Sequence, residues 1–197
     1  MKLPETITAL LLRQNGTITS RDIAEAGVSR TMLGRYVASG LLEHSARGVY
    51  SATDKIPDEL FALSRRCGRI VFSHTTAAFL HGIAERTPFD HTVSVRTSQT
   101  VPAALRTEVK CFYVKDALYD LGLTTARTQF GNTVPCYDLE RTICDLIKYR
   151  SRIDEETFLA TMKNYFRSRK KNLRRLGNYA ETLKIAKRVY AITELMQ

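Results

Sequence analysis

Apolar side chains recur at helical spacing through the first fifty residues, interrupted by residues that stop helices. Ile7, Leu10 and Leu11 form one stripe after Pro4, and Asn15-Gly16 ends it. Thr19 or Ser20 is placed to cap a short helix over residues 21–26 that closes at Gly27. Ser29 caps a third helix with Met32, Leu33, Tyr36 and Val37 as its inward stripe and Gly40 at its end. Leu41-Leu42-Glu43-His44, a turn at Ser45-Ala46-Arg47-Gly48, and Val49-Tyr50-Ser51 predict a β-hairpin, with glycine where positive φ is needed. Two short helices meeting at a glycine corner and followed by a hairpin are the pattern of a winged helix-turn-helix.

Past Thr53-Asp54-Lys55-Ile56-Pro57, which reads as a linker, the periodicity changes. Residues 58–66 and 75–80 are patterned as helices, the second stopped by Gly82, and residues 70–72 as a short strand. Residues 92–96, 109–114 and 133–137 alternate as strands, Asp138 or Leu139 opens a helix through Ile147, and the chain is mostly helical from Asp154. The expected fold class is α+β: an N-terminal winged helix-turn-helix over residues 1–55, then a mixed α/β domain over 56–197 with a helical C-terminal end.

Charge sharpens the first assignment. Thirty Lys and Arg against twenty Asp and Glu give the 197-residue chain a formal charge of +10, which points to a polyanionic partner. With Leu33, Tyr36 and Val37 inward, Ser29, Arg30, Thr31, Gly34 and Arg35 face outward on the helix that enters the major groove. Arg30 and Arg35 can reach guanine edges or phosphates, Ser29 and Thr31 can bond phosphate, and Gly34 permits close approach. Arg47, in the hairpin turn, is placed for the adjacent minor groove or its phosphates. Yet residues 1–55 hold seven basic against five acidic side chains, a net of only +2. Residues 148–188 hold thirteen against four, a net of +9, densest at Arg167, Arg169, Lys170, Lys171, Arg174 and Arg175. That basic face suits DNA backbone, RNA or an acidic protein equally; a solvated helix face is the plain alternative.

Hydrophobic residues at 44% and charged ones at 25% are ordinary for a globular protein. Cys67, Cys111, Cys136 and Cys144 are too widely spaced for a zinc site or a disulfide framework, and so predict reduced thiols in a cytosol. Met1-Lys2-Leu3-Pro4-Glu5 lacks the pattern of a signal peptide, and the apolar runs are far too short to span a bilayer. The expected setting is cytoplasmic.

The order of features resembles the AbiEi family of antitoxins, from abortive-infection toxin–antitoxin pairs. The matching pieces are the winged helix with Gly40-Leu41-Leu42 and Arg47-Gly48-Val49-Tyr50, the stretch from Phe72-Ser73-His74-Thr75-Thr76-Ala77-Ala78 to Gly82, the strand Thr92–Arg96, and Val134-Pro135-Cys136-Tyr137-Asp138-Leu139-Glu140-Arg141-Thr142-Ile143-Cys144-Asp145-Leu146. The resemblance implies a repressor that binds inverted repeats in its own promoter through the winged helix. It also implies that the second domain counters a nucleotidyltransferase-like toxin, in the type IV manner, without a stable complex. The last block has a physical reading of its own: Asp138 caps a helix, Arg141 and Asp145 pair at i,i+4, and Thr142, Ile143 and Leu146 face inward, a structural motif before a catalytic one.

Enzymatic alternatives rest on thinner patterns. Asp90 followed by Glu108-Val109-Lys110 is the ligand layout of a metal-dependent nuclease, with carboxylates for Mg²⁺ and a lysine for charge, but it recurs by chance in charged chains. His74 and His81 lie seven apart without a third ligand. No phosphate loop, dinucleotide fingerprint or Ser–His–Asp order stands out. No catalytic residue, metal or cofactor is expected. The reading is therefore a DNA-binding repressor and antitoxin, monomeric and pairing on a repeated site; a nuclease and a basic RNA- or protein-binding module are the alternatives.

Overall fold

The computed structural model describes residues 2–196 and divides into two compact units: Met1–Gly68 with Arg127–Val134, and Arg69–Ala126 with Pro135–Gln197. The first unit opens with α1 (Glu5–Arg13), β1 (Thr17–Thr19), α2 (Ser20–Glu25) and α3 (Arg30–Ala38). The hairpin β2 (Glu43–Ala46) and β3 (Val49–Ser51) follows, then α4 (Glu59–Arg66). β3 lies between β1 and β2, antiparallel to both.

Local chemistry accounts for each boundary. Thr19 makes a capping box with Asp22, its hydroxyl accepting from the Asp22 N–H while the Asp22 carboxylate accepts from the Thr19 N–H at 2.8 Å. Ser29 caps α3 by accepting from the Met32 N–H at 3.3 Å. Gly27, Gly40 and Gly48 take positive φ of 76°, 69° and 71° where the sequence asked for helix ends and a turn. Ile7, Leu11, Ile18, Ile23, Leu33, Tyr36 and Leu42 pack as one buried cluster, each stabilising the fold by roughly 1.5–3 kcal/mol. Met32 and Val37 are only half-buried at its edge.

The sequence reading places its break at residue 55, whereas the compact unit continues through α4 and takes in residues 127–134. Asp58 explains why. It caps α4, its N–H donates to Thr17 Oγ1 at 2.8 Å, and its carboxylate accepts from Thr128 Oγ1 at 2.5 Å and Asn132 Nδ2 at 2.9 Å. The same Asn132 amide also donates to the Gln14 carbonyl at 3.1 Å. Buried polar groups of this kind need every partner, so the segment that supplies them belongs to the unit. Arg65, on α4, pairs with Asp22 and Glu25.

The second unit begins with β4 (Val71–Phe72), α5 (His74–Leu80), β5 (His91–Arg96), α6 (Ala103–Arg106), β6 (Val109–Val114) and α7 (Asp116–Tyr119). β7 (Leu123–Arg127) and β8 (Thr133–Tyr137) follow, then four helices: α8 (Leu139–Lys148), α9 (Glu155–Arg167), α10 (Leu173–Thr182) and α11 (Ala186–Leu195). The sheet runs β6-β5-β4-β8-β7, with β5 parallel to β6 and antiparallel to β4. The expected strands and helices are present; β1, β7, α6 and α7 were not foreseen.

α8 is the axis of this unit. Residues 140–147 are all buried, and Ile143, Leu146, Met162, Tyr165, Leu176 and Ala180 form the centre of its apolar cluster. Asp138 caps α8 through the Arg141 N–H at 2.8 Å, as expected. Arg141 is 1% exposed. Its Nε donates to Asp145 at 3.1 Å, its Nη1 donates to the Leu118 and Leu121 carbonyls at 2.8 and 2.7 Å, and its guanidinium lies 4.3 Å from the Tyr137 ring centroid. Gly122, at φ 75°, leaves room for that side chain: a Cβ there would meet Arg141 Cβ at 2.6 Å. Among the described residues no helix is long and apolar enough to cross a membrane.

Candidate nucleic-acid interface

α3 presents two unlike faces. Leu33 and Tyr36 are buried, while Ser29, Arg30, Thr31, Gly34 and Arg35 are exposed, as the helical spacing requires. Arg47 is exposed in the turn between β2 and β3. The wing is held against α2 by the Ser20 N–H, which donates to the Gly48 carbonyl at 2.9 Å. Arg30, Gly34, Ser20, His44 and Tyr50 line one groove between α3 and the wing.

The electrostatics single out three of these side chains. Among the described residues, Arg30, Arg35 and Arg47 have no carboxylate partner. Arg21 and Arg65 of the same unit are tied to Glu25 and Asp22; burial pushes the Asp22 carboxyl up, but hydrogen bonds from Thr19 and Arg65 hold it below its usual range, and the bond from Arg21 does the same for Glu25. The cations of α3 and the wing are thus left uncompensated among the described residues, as is Arg13 at the end of α1. Gly34 adds a geometric point. A Cβ at that position would meet nothing within 4 Å, so no internal packing calls for a glycine, which costs a helix about 1 kcal/mol relative to alanine.

His44 and Tyr50 were missed by sequence reasoning. They face each other across the hairpin with ring centroids 5.0 Å apart, and the β-strand alternation of the wing was the signal that could have placed them beside Arg30.

The C-terminal cations gather on one connection. Arg167 ends α9, Arg169, Lys170 and Lys171 occupy the loop, and Arg174 and Arg175 lie in the first turn of α10, all exposed. Arg175 differs from the rest: its Nη1 is 3.7 Å from both Asp138 and Glu140 carboxylate oxygens. The other five have no carboxylate partner among the described residues.

The residues weighed for catalysis fall apart or find structural work. Glu108 sits before β6, its N–H donating to Leu105 O, and does not border the cavity that Asp90 and Lys110 share. Among the described residues no group of three His, Cys, Asp or Glu is arranged to hold a metal ion. His81 Nε2 is 2.6 Å from the Tyr137 carbonyl oxygen. Cys136 and Cys144 are buried, and burial pushes both thiols up to about 12, which keeps them protonated at neutral pH.

Helix–strand–helix–helix–strand–strand with the last strand central is the winged form of the helix-turn-helix, a class whose second helix reads the major groove. Residues 5–53 match the family described as transcriptional regulator, AbiEi antitoxin, so this N-terminal segment is similar to that family. The match covers the winged helix and ends before α4. A solved structure, the crystal structure of RV2827C protein from Mycobacterium tuberculosis, is similar in fold, with a TM-score of 0.61 at 14% identity over 91% of this chain and 72% of that one. No curated protein matches the chain.

Proposed function

We propose that the protein represses its own operon and serves as the antitoxin of an abortive-infection pair in the cytoplasm. α3 enters the major groove of promoter inverted repeats, with Arg30 and Arg35 on base edges or phosphates and Ser29 and Thr31 on the backbone. Arg47 takes the neighbouring minor groove or its phosphates. A monomer pairs with a second on half-sites about one helical turn, roughly 10 base pairs, apart. The basic connection from Arg167 to Arg174 grips the DNA backbone, and residues 56–197 counter a nucleotidyltransferase-like toxin without a stable complex. The observation that carries the DNA reading is the set of three exposed, uncompensated arginines on α3 and the wing, in a unit whose other buried-edge arginine, Arg65, is paired.

The test is a titration of the duplex upstream of the gene against a scrambled duplex, at two salt concentrations. The native duplex is expected to bind more tightly, and Arg35→Ala to lose about 1–3 kcal/mol of that preference. Replacing Lys170 and Lys171 by Ala should weaken both duplexes alike and flatten the salt dependence by about one unit of slope per lost contact. Equal binding of wild type to both duplexes would overturn the repressor reading.

A further inference from the structure

The second unit contains a cavity of about 270 Å³ that the DNA reading does not use. His74 borders its inner end, Lys110 and Arg152 flank it, and Asp90, Asp154 and Phe89 lie along its lining. Three observations mark it as a built site.

The first is an orphaned atom. His74 is 1% exposed, its Nδ1 lies 2.9 Å from Ser73 Oγ, and its ring stacks on Phe112 with centroids 3.7 Å apart. Its Nε2 has no hydrogen-bond partner among the described residues. Buried polar atoms are nearly always satisfied, so one left open on a cavity points to a ligand. The second is the backbone. His74 has φ 48°, a left-handed conformation that is costly for a residue other than glycine. The surrounding bonds enforce it: Thr92 Oγ1 donates to the Ser73 carbonyl at 2.5 Å, and the N–H groups of Thr76 and Thr92 each donate to the other's hydroxyl at 3.0 and 2.8 Å. Such strain gathers at ligand sites, where the scaffold over-determines one conformation.

The third is charge. Among the described residues neither Lys110 nor Arg152 has a carboxylate partner. Lys110 Nζ reaches only the Arg152 carbonyl, at 3.4 Å, and Arg152 lies over the Phe112 and Tyr149 rings. The opposing carboxylate of Asp154 is occupied in capping α9, accepting from the Thr157 N–H at 2.8 Å. Arg86, also on the lining, is paired with Glu156.

We propose that this cavity binds a small organic phosphate, a phosphate monoester on a hydroxylated body. The phosphate oxygens take the Nε2–H of His74 and the cations of Lys110 and Arg152, three donors on separate elements that surround a tetrahedral anion better than a planar carboxylate. The free carboxylate of Asp90 accepts from hydroxyls of the body, and Phe89, wholly exposed, offers it an aromatic face. The volume fits a sugar phosphate or a mononucleotide and is too small for an oligonucleotide. Burial first, then the nearby Arg141, Lys110, Lys148 and Arg152, pull the His74 pKa down to about 3. The imidazole is therefore neutral at physiological pH and donates with no proton uptake, the Ser73 hydroxyl donating to its Nδ1.

The test is calorimetric titration of the full chain with ribose 5-phosphate, adenosine 5′-monophosphate and inorganic phosphate. One of the two esters should bind saturably and more tightly than inorganic phosphate, and both His74→Gln and Lys110→Ala should weaken it by about tenfold. Lys110 is exposed, so its variant keeps the test valid if the buried His74→Gln chain fails to fold. Absence of binding by both esters up to about 10 mM, some ten-thousandfold above a micromolar site, would overturn the proposal. So would an ester held equally by wild type and Lys110→Ala, or inorganic phosphate matching both esters. DNA binding plays no part in any of these outcomes.

Discussion

α3 and α8 are helices of nine and ten residues, each opened by a side-chain cap and each carrying arginine, yet their charges meet opposite fates. On α3, Arg30 and Arg35 stand in water without carboxylate partners among the described residues. On α8, Arg141 is sealed in the core, bonded to Asp145, to two backbone carbonyls and to the face of Tyr137. The first arrangement leaves charge available to a polyanion; the second uses its charge to hold α8 against α7 and the loop that follows it. An arginine's meaning lies in what surrounds it, and only the structure supplies that.

The contrast breaks most sharply at Arg141. Arg141→Met removes one partner of a buried pair and strands Asp145, so unfolding by urea should show a loss of about 3–5 kcal/mol. Arg30→Ala, by comparison, should leave the urea midpoint unchanged. If Arg141→Met were equally silent, the buried network would be a bystander.

Acid sharpens the same contrast through His74. Its folded pKa, about 3, lies below the ordinary 6.5, so between those values the unfolded chain binds more protons than the folded one. The stability tied to its neutral burial is complete above pH 6.5 and is lost as pH falls toward 3. Urea midpoints taken from pH 7 downward should therefore decline, and His74→Phe should decline less steeply. Equal slopes for the two proteins would show that His74 is not the source.

The smallest effect is the most discriminating. Gly34→Ala, placing a methyl in open space on α3, should raise stability by about 0.5–1 kcal/mol. It should also weaken binding to the native duplex, since the new methyl occupies the face offered to DNA. A stabilised protein with unaltered DNA affinity would remove Gly34 from the contact surface.

Much of this was legible in the chain. The 3.6-residue stripes of α1 and α3, the caps at Ser29 and Asp138 and the glycines at 40 and 48 are local signals, and local physics decided them. The exposed set on α3 followed from the same periodicity. What escaped was short or non-local. β1 is three residues, too few to show alternation, and β7 is an exposed edge whose Leu-Thr-Thr-Ala-Arg has no apolar face to announce. α6 and α7 are single turns. The i,i+4 pairing of Arg141 with Asp145 could be read, but its burial depends on carbonyls 23 and 20 positions upstream, at Leu118 and Leu121. His74 and His81 looked like one pair at heptad spacing; the fold gives His81 a carbonyl on β8 and leaves His74 on a cavity.

The bonds from Asp58 to Thr128 and Asn132 have an evolutionary consequence. The unit that carries the winged helix is written in two separate stretches of the gene, with the leading stretch of another unit's code between them. A crossover that grafts only the leading stretch onto a different effector delivers a reader lacking its own closing piece, with the Asp58 carboxylate and the Gln14 carbonyl stripped of the bonds that Thr128 and Asn132 supply. Shuffling such a protein into new pairings is correspondingly hard, and its two halves are inherited together.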